Sequence, residues 1–153
     1  MDTENQRVLA ANRKAYHDYF IVETYEAGIA LTGTEIKSVR AGKISLREGY
    51  AKIEGGQASL IGVHIAPYEH GSYFNPDSRR TRKLLLHRSE IERLRSKLNE
   101  RGLTLVPLRV YLKGGRAKVE LGLGKGKKLY DKREAMAERD ATRQIERAMR
   151  DRG

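Results

Sequence analysis

Alternating apolar and polar residues along the first 124 positions predict a series of short β-strands. Residues 19–31 are rich in aromatic and β-branched side chains, and the glycine at position 28 predicts two strands joined or kinked there. Two double glycines predict hairpin turns, because glycine accepts the positive φ angles that such turns require. These are Gly55-Gly56, between residues 48–54 and 57–65, and Gly114-Gly115, between residues 104–112 and 116–123. The pattern therefore predicts six strands, with Pro107 at an edge or a bulge because it cannot donate a backbone hydrogen bond.

Apolar residues at helical spacing predict two inserted helices. The first covers residues 34–42, with a candidate cap at Thr34 and a terminating glycine at Gly42. The second covers residues 83–101, where leucines recur at near-helical spacing and predict one amphipathic helix, with or without a bend before it. The intervening residues 67–82 are rich in Gly, Pro, Asn, Asp and Ser, which predicts a long functional loop.

Six short strands with glycine turns and two helices predict a mainly β fold, an OB-like six-stranded antiparallel barrel. A flatter α+β sandwich is the alternative. The alternating pattern ends near Gly124, where residues that are mostly charged, polar or alanine take over. We therefore divide the chain into a flexible N-terminus (1–11), a barrel (12–124) and a basic C-terminal tail (125–153) that is disordered when free, since its apolar stripe is too thin to hold it on the barrel.

The charge of the chain indicates a polyanionic partner. It contains 31 Lys and Arg against 20 Asp and Glu, for a net charge of +11, and the tail carries ten of the bases with six of the acids. Basic charge on both barrel and tail is typical of proteins that neutralise phosphates. An anionic membrane surface is the weaker alternative, because it calls for a helix with a bulky apolar face.

Several classes of function lack support in the sequence. There is no cysteine, the four histidines are scattered, and we find no pair of acids placed for general acid–base catalysis, so no catalytic residue, metal or cofactor is expected. The glycine-rich residues 122–128 lack the spacing of a phosphate-binding loop, and no small-molecule substrate is expected. Neither a membrane span nor a signal peptide is visible, which predicts a cytoplasmic protein. We expect it to be a monomer.

Ordered motifs along the chain match a known family. They are Asn12-Arg13-Lys14-Ala15, His17-Asp18-Tyr19, Tyr25 to Leu31, Gly33 to Lys43, His64 to Tyr68, Arg82 to His87, Gly102 to Leu108, Gly126-Lys127-Lys128 and Asp131-Lys132-Arg133. With these motifs the sequence resembles the SsrA-binding proteins, or small protein B, over residues 12–133. The resemblance implies an RNA-binding adaptor without enzymatic activity. Its partners would be the tRNA-like domain of transfer-messenger RNA (tmRNA) and the stalled ribosome, where its tail would enter the decoding centre and the empty mRNA channel and fold as a helix.

The resemblance also implies site residues. Asn12, Glu26 and Leu85 lie in motifs tied to tmRNA binding, and the further candidates are Lys14, His17, Tyr19, Lys37, Arg40, Arg82 and Lys83. The residues expected to act on the ribosome are Lys125, Lys127, Lys128, Tyr130, Asp131, Lys132 and Arg133. For Glu26 two roles are open: accepting from bases or 2′-hydroxyls, or ordering nearby arginines. We favour the second, since an unpaired carboxylate near phosphates is costly.

Two departures and two alternatives qualify this expectation. Asn75-Pro76-Asp77-Ser78 differs from the family's usual Asp-Pro order, and Tyr130 stands at a variable position. The alternatives are a basic ribosome-associated structural RNA-binding protein, which would accompany every ribosome, and an RNA-processing enzyme, which would alter the RNA it binds.

Overall fold

This computed structural model describes residues 6–68, 75–99 and 102–127. These residues contain nine strands and three helices. In chain order they are β1 (Gln6–Ala11), α1 (Arg13–Asp18), β2 (Tyr19–Ile29), α2 (Gly33–Arg40), β3 (Ile44–Ser45), β4 (Tyr50–Glu54), β5 (Gln57–Ile61), β6 (His64–Ile65), β7 (Arg82–Leu85), α3 (Arg88–Leu98), β8 (Leu103–Lys113) and β9 (Arg116–Gly126).

Six of these strands close into a ring in the order β8-β4-β5-β7-β2-β9, with β9 pairing back onto β8. All of the pairings are antiparallel. The ring confirms the mainly β, six-stranded barrel predicted from the sequence. β1 lies outside the ring, against β8, while β3 and β6 form a separate two-stranded sheet.

Aliphatic side chains from the ring fill its interior. Those with 2% or less of their surface exposed include Leu60, Leu84, Leu105, Leu121, Val110 and Val119. Val39 of α2 and Leu94 of α3 are fully buried in the same core. This core fixes which side of each strand faces outward, because side chains alternate across a strand.

Both predicted hairpins are confirmed. Gly55 and Gly56 join β4 to β5 with φ angles of 60° and 73°, and Gly114 and Gly115 join β8 to β9 with φ angles of 58° and 76°. The predicted irregularity at Pro107 is also present, since the register between β8 and β9 shifts between Pro107 and Arg109. Both features follow from local chemistry, the positive φ of glycine and the missing N–H of proline.

The single helix predicted over residues 83–101 is wrong. The first part is strand β7, in which Leu84 is 2% exposed and Leu85 is 54% exposed, and only Arg88–Leu98 is helical. Consecutive leucines fit a helix face in the sequence, but pairing with β2 and β5 extends the backbone here.

Residues 19–31 contain one strand where two were predicted. β2 passes through Gly28 without a break, and that glycine makes room for Leu85, whose Cβ would lie 3.2 Å from a Cβ at position 28.

The helix predicted over residues 34–42 is α2, which begins one residue earlier, at Gly33, and ends two residues earlier, at Arg40. Its cap is Thr32, whose side chain accepts from the Glu35 N–H while the Glu35 carboxylate accepts from the Thr32 N–H at 3.0 Å.

The barrel domain reaches further than predicted at both ends. Residues 6–11 of the expected flexible N-terminus form β1, because they pair with β8, and β9 continues to Gly126. The tail predictions for residues 128–153 lie outside the described residues, as do residues 1–5. Among the described residues no helix is long and apolar enough to cross a membrane.

Helix α1, which the sequence did not predict, packs on the outer face of the barrel. Ala15 joins Val106 and Leu108 in a small second core, which Tyr19 and Ile21 complete. This packing requires a residue without a side chain at position 124, since a Cβ on Gly124 would lie 2.9 Å from the Cβ of Tyr19.

Gly124→Ala is therefore expected to destabilise the fold by about 1–3 kcal/mol, because the added methyl group forces Tyr19 and α1 outward. Urea unfolding monitors the change. Gly33→Ala is the matched control: nothing lies within 4 Å of its added Cβ, and in α2 alanine should be neutral or slightly stabilising. Equal stability of the two variants would contradict this packing.

Candidate nucleic-acid interface

The residues predicted to bind tmRNA do not form one surface. Glu26 and Leu85 lie together on the outer face of β2 and β7, since Leu85 pairs with Gly28, two residues along the strand from Glu26. Lys14 and His17 lie instead on α1 and Tyr19 at the start of β2, where it pairs with Gly126 at the end of β9. We call the first group, with Lys83, Arg116 and Lys118, the Leu85 surface. The second group, with Tyr16, Phe20 and Lys127, is the α1 surface.

A cavity of about 310 Å³ opens at the Leu85 surface. Its walls are aliphatic, from Leu31, Ile36 and Leu85, and the cations Arg116 and Lys118 also line it. Leu85 is held over Gly28, with more than half of its side chain exposed. An apolar floor beside cations fits an unstacked base and its phosphate, which is how proteins read folded RNA.

Glu26 is partnered within the protein. Its carboxylate accepts a hydrogen bond from the Tyr111 hydroxyl, and the Lys113 ammonium lies 3.4 Å away. The Tyr111 hydrogen bond holds the pKa of Glu26 below its ordinary value, against the effect of burial and with help from Lys113 and Lys118. Burial, together with the Glu26 hydrogen bond, raises the pKa of Tyr111. Glu26 thus orders a tyrosine and a lysine, where we had predicted arginines.

The sequence reasoning missed Tyr111, Lys113 and Lys118. The signal was available in the hairpin, because a two-residue turn at Gly114-Gly115 pairs Tyr111 with Lys118. Arg109 also contacts this group of side chains. Its guanidinium lies 4.8 Å from the centre of the Tyr111 ring and 3.0 Å from the Glu120 carboxylate.

Asn12 is buried, with 5% of its surface exposed. Its side-chain oxygen accepts from the Ala15 N–H, which caps α1, and its amide donates to the carbonyls of Leu46 and Pro107 at 3.2 and 2.9 Å. These bonds use the groups with which Asn12 would contact RNA. In this structure Asn12 therefore positions α1, and a direct RNA contact is not what its surroundings support.

Arg82 is also inaccessible, which corrects the expectation of a direct contact with RNA. It is 0% exposed, and its guanidinium donates to the Glu35 carboxylate at 2.7 Å and to the Val63 and Ser78 carbonyls at 2.8 and 3.1 Å. The strand alternation of β7 turns Arg82 inward and Lys83 outward.

The two α2 candidates, Lys37 and Arg40, are exposed on their helix. The Lys37 ammonium lies 5.2 Å from the centre of the Tyr68 ring, a distance that suits a cation–π contact. Both cations therefore present charge to solvent, Lys37 beside Tyr68 of the segment that follows β6.

The α1 surface is aromatic and cationic. Tyr16 and Phe20 are 50% and 48% exposed, and His17 is exposed with its Nδ1 atom 3.0 Å from Asp18. The Lys127 ammonium donates to the Tyr16 carbonyl at 3.1 Å and lies 5.1 Å from the centre of the Phe20 ring. Lys127 thus ties the residue that follows β9 to α1 and to the start of β2. Of the other predicted ribosome contacts, Lys125 is exposed in β9, and those from Lys128 to Arg133 lie outside the described residues.

Acid is expected to destabilise the barrel between about pH 4.5 and pH 2. The pKa of Glu23 is lowered to about 2 by hydrogen bonds from Tyr25, Lys97 and Arg93, and the pKa values of Glu26 and Glu35 are also lowered. Carboxyls with depressed pKa values in the folded state stabilise it above their unfolded pKa, and this stabilisation disappears as the pH falls through the folded values. Urea-unfolding midpoints measured across this pH range test the dependence of stability on pH, and Glu23→Gln should weaken that dependence. A wild-type midpoint that does not change with pH would contradict the assignment.

These features define a small antiparallel β-barrel whose outer face combines exposed apolar side chains with lysines and arginines, an arrangement suited to a folded RNA. The chain belongs to the SmpB protein family, whose model matches residues 9–151. It is similar to the SsrA-binding protein of Roseiflexus sp. strain RS-1, with 64% identity over 96% of this chain and 94% of the relative. The SsrA-binding protein of Carboxydothermus hydrogenoformans is 60% identical over 95% of this chain and 97% of its own length.

A solved structure gives the same fold. One chain of the structure described as "tmRNA-SmpB: a journey to the center of the bacterial ribosome" is 57% identical to this chain, with a TM-score of 0.66. The match covers 77% of this chain and 83% of that one.

Proposed function

We propose that this protein is an RNA-binding adaptor, without enzymatic activity, that binds the tRNA-like domain of tmRNA and brings it to stalled bacterial ribosomes. The observation that carries the proposal is family membership over nearly the whole chain, through relatives that are SsrA-binding proteins. A structural match from a tmRNA–SmpB structure supports both partners. Because ribosomes work in the cytoplasm of bacteria, we place the protein there.

The Leu85 surface supplies the tmRNA contact in this proposal. Leu85 and the aliphatic cavity wall cover the face of an unstacked base, while Lys83, Arg116 and Lys118 lie at phosphate positions. Glu26 acts by holding Tyr111 and Lys113 in place. Its own charge is balanced by these partners, so it costs little beside the RNA backbone.

The α1 surface belongs with the tail and faces the ribosome. Lys127 ties the start of the tail to Tyr16 and Phe20, so a tail entering the mRNA channel would bring α1 to the channel mouth. Lys14 and His17, which we first assigned to tmRNA, are then candidates for ribosomal RNA contacts. Asn12 and Tyr19 serve this surface by positioning α1.

Leu85→Ala is expected to weaken binding of the tRNA-like domain roughly tenfold, because an exposed leucine gains its hydrophobic stabilisation only when RNA covers it. Titration of labelled RNA measures the change. Val22→Ala is the matched control: Val22 is 61% exposed on β2, outside the Leu85 surface, and its loss should leave the affinity unchanged. Equal effects of the two substitutions would contradict this placement of the site.

A different experiment tests the second candidate, a general ribosome-associated protein, which the net charge of +11 also fits. Capture of the protein from cells, followed by sequencing of the bound RNA, should enrich tmRNA over ribosomal RNA. Enrichment of ribosomal RNA alone, in proportion to ribosomes, would favour the structural role.

A further inference from the structure

The basic run from Arg79 to Lys83 contains four cations that the sequence does not distinguish, but the structure divides them into two pairs. Arg80 and Arg82 turn toward Glu35, whereas Arg79 and Lys83 are exposed. We call Glu35, Arg80 and Arg82 the Glu35 clasp.

Glu35 is at the centre of the clasp, with a side chain only 4% exposed. One carboxylate oxygen accepts from the Thr32 N–H and from Arg80, and the other accepts from Arg80 Nε at 3.1 Å and Arg82 Nε at 2.7 Å. Arg80 therefore binds the carboxylate with two donors at once, the geometry that the planar guanidinium favours. Burial opposes the charged form of Glu35, yet the hydrogen bonds from Arg80, Thr32 and Arg82 outweigh it and keep its pKa low.

The remaining donors of the clasp reach backbone carbonyls in other elements. Arg82 donates to Val63 and Ser78, and Arg80 lies 3.4 Å from the carbonyl of Ala30, at the end of β2. Backbone hydrogen bonds run in parallel, from Ile65 to Ser78 and from Ala30 to Lys83, both at 2.9 Å. The clasp thus joins α2, the end of β2, the segment before β6 and the loop that leads into β7.

This position links the clasp to the RNA site. Lys83 and Leu85 follow Arg82 in β7, and Ile36 of the cavity wall follows Glu35 in α2. A buried ion pair fixes geometry, because each charge is costly when it loses its partner. Glu35 neutralises one of the two guanidinium charges, and the remaining donors of Arg80 and Arg82 are directed to backbone carbonyls inside the protein.

We propose that Glu35, Arg80 and Arg82 are positioning residues that hold the Leu85 surface in its RNA-binding geometry, and that Arg79 and Lys83 alone supply the phosphate contacts of this basic run. The inference rests on the proposed function, because it assumes that the Leu85 surface binds the tRNA-like domain. It differs from a simple basic patch, in which all four cations would act alike.

The salt dependence of binding separates the two pairs. Each phosphate contact contributes about 0.7–0.9 to the slope of log affinity against log salt. Arg79→Ala and Lys83→Ala should each lower the slope by about that amount. Arg80→Ala should weaken binding at least about threefold with an unchanged slope, since it disturbs geometry and removes no phosphate contact.

Arg80→Lys sharpens the test, because lysine keeps the charge but cannot bind a carboxylate with two fixed donors. We expect Arg80→Lys to bind as weakly as Arg80→Ala. Arg79→Lys is the matched control and should bind like wild type, since a phosphate accepts either cation. Restored affinity in Arg80→Lys, together with a lowered slope in Arg80→Ala, would overturn the proposal and make Arg80 a phosphate contact.

Hydrogen exchange of the RNA-free protein tests the clasp independently of its function. Arg80→Lys should speed exchange of amides in residues 78–83 and in α2, while Arg79→Lys should not. Unchanged exchange in Arg80→Lys would overturn the clasp even if RNA binding is confirmed. Failure of the wild-type chain to bind the tRNA-like domain would instead overturn the proposed function, and the positioning role with it.

Discussion

Cutting the chain after Lys128 is expected to abolish peptide tagging on stalled ribosomes while leaving tmRNA binding nearly intact. All nine described strands end at or before Gly126, so the cut removes no part of the barrel. Residues 129–153 contain seven Lys and Arg and six Asp and Glu, so the truncation removes a net charge of only +1. Affinity for the tRNA-like domain should therefore fall little.

The expected loss of tagging comes from the ability of the tail to fold on the ribosome and not from its net charge. It has helix-forming residues and both signs of charge at helical spacing, so a phosphate-lined channel can order it as a helix. The measurements are tmRNA affinity by titration and tag addition in a reconstituted translation system. Normal tagging by the truncated chain, or complete loss of tmRNA binding, would show that the two halves of the chain do not divide the work in this way.

A pair of triple substitutions locates the effect within the tail. Changing Asp131, Lys132 and Arg133 together to alanine should abolish tagging. Changing Arg150, Asp151 and Arg152 to alanine removes the same two bases and one acid, and should reduce tagging less, because these residues lie outside the motif near the barrel. Equal losses would point to total charge as the determinant.

The hairpins and the bulge could be predicted because their cause is local. A double glycine allows positive φ wherever it occurs, and Pro107 lacks an N–H in any fold. The number of ring strands was also correct, although for partly wrong reasons. Residues 19–31 supplied one strand in place of two, and β7 supplied the missing one.

The errors arose where contacts distant in sequence decide the structure. Leu84, Leu85 and Leu86 are compatible with a helix until β2 and β5 pair with the backbone around them. Helix α1 has a single buried side chain, Ala15, so its apolar face is too small to appear as a pattern.

The candidate site was predicted as a set of residues but not as a geometry. Leu85 and Glu26 were found through family motifs, and the structure places them on the same face of neighbouring strands, with Leu85 paired to Gly28. In the sequence Arg82 and Arg79 look alike, because both are arginines of the same basic run. Only the contact of Arg82 with Glu35, 47 positions earlier in the chain, shows that Arg82 is buried and Arg79 is not. Such a pairing has no signature in a single sequence.

Glu35→Gln is expected to lower the free energy of unfolding by about 3–5 kcal/mol, because it leaves the fully buried Arg82 guanidinium without a counter-charge. The amide keeps the shape of the side chain, so the loss reports on charge and hydrogen bonding. Urea unfolding measures it as a lower midpoint with an unchanged slope. Glu54→Gln is the matched control: its carboxylate pairs with Lys52 at 2.7 Å but is 74% exposed, so no measurable change is expected.

Two further measurements distinguish charge pairing from packing at this position. The double variant Glu35→Leu with Arg82→Met removes the two buried charges and leaves Arg80, whose side chain is 31% exposed, to water, so it should recover much of the lost stability. The difference between wild type and Glu35→Gln should also shrink in acid. The pKa of Glu35 is lowered in the folded state, so its contribution is complete above the unfolded value and disappears as the pH falls through the folded value. A Glu35→Gln chain as stable as wild type at neutral pH would mean that the Arg82 charge is balanced by its carbonyl contacts alone.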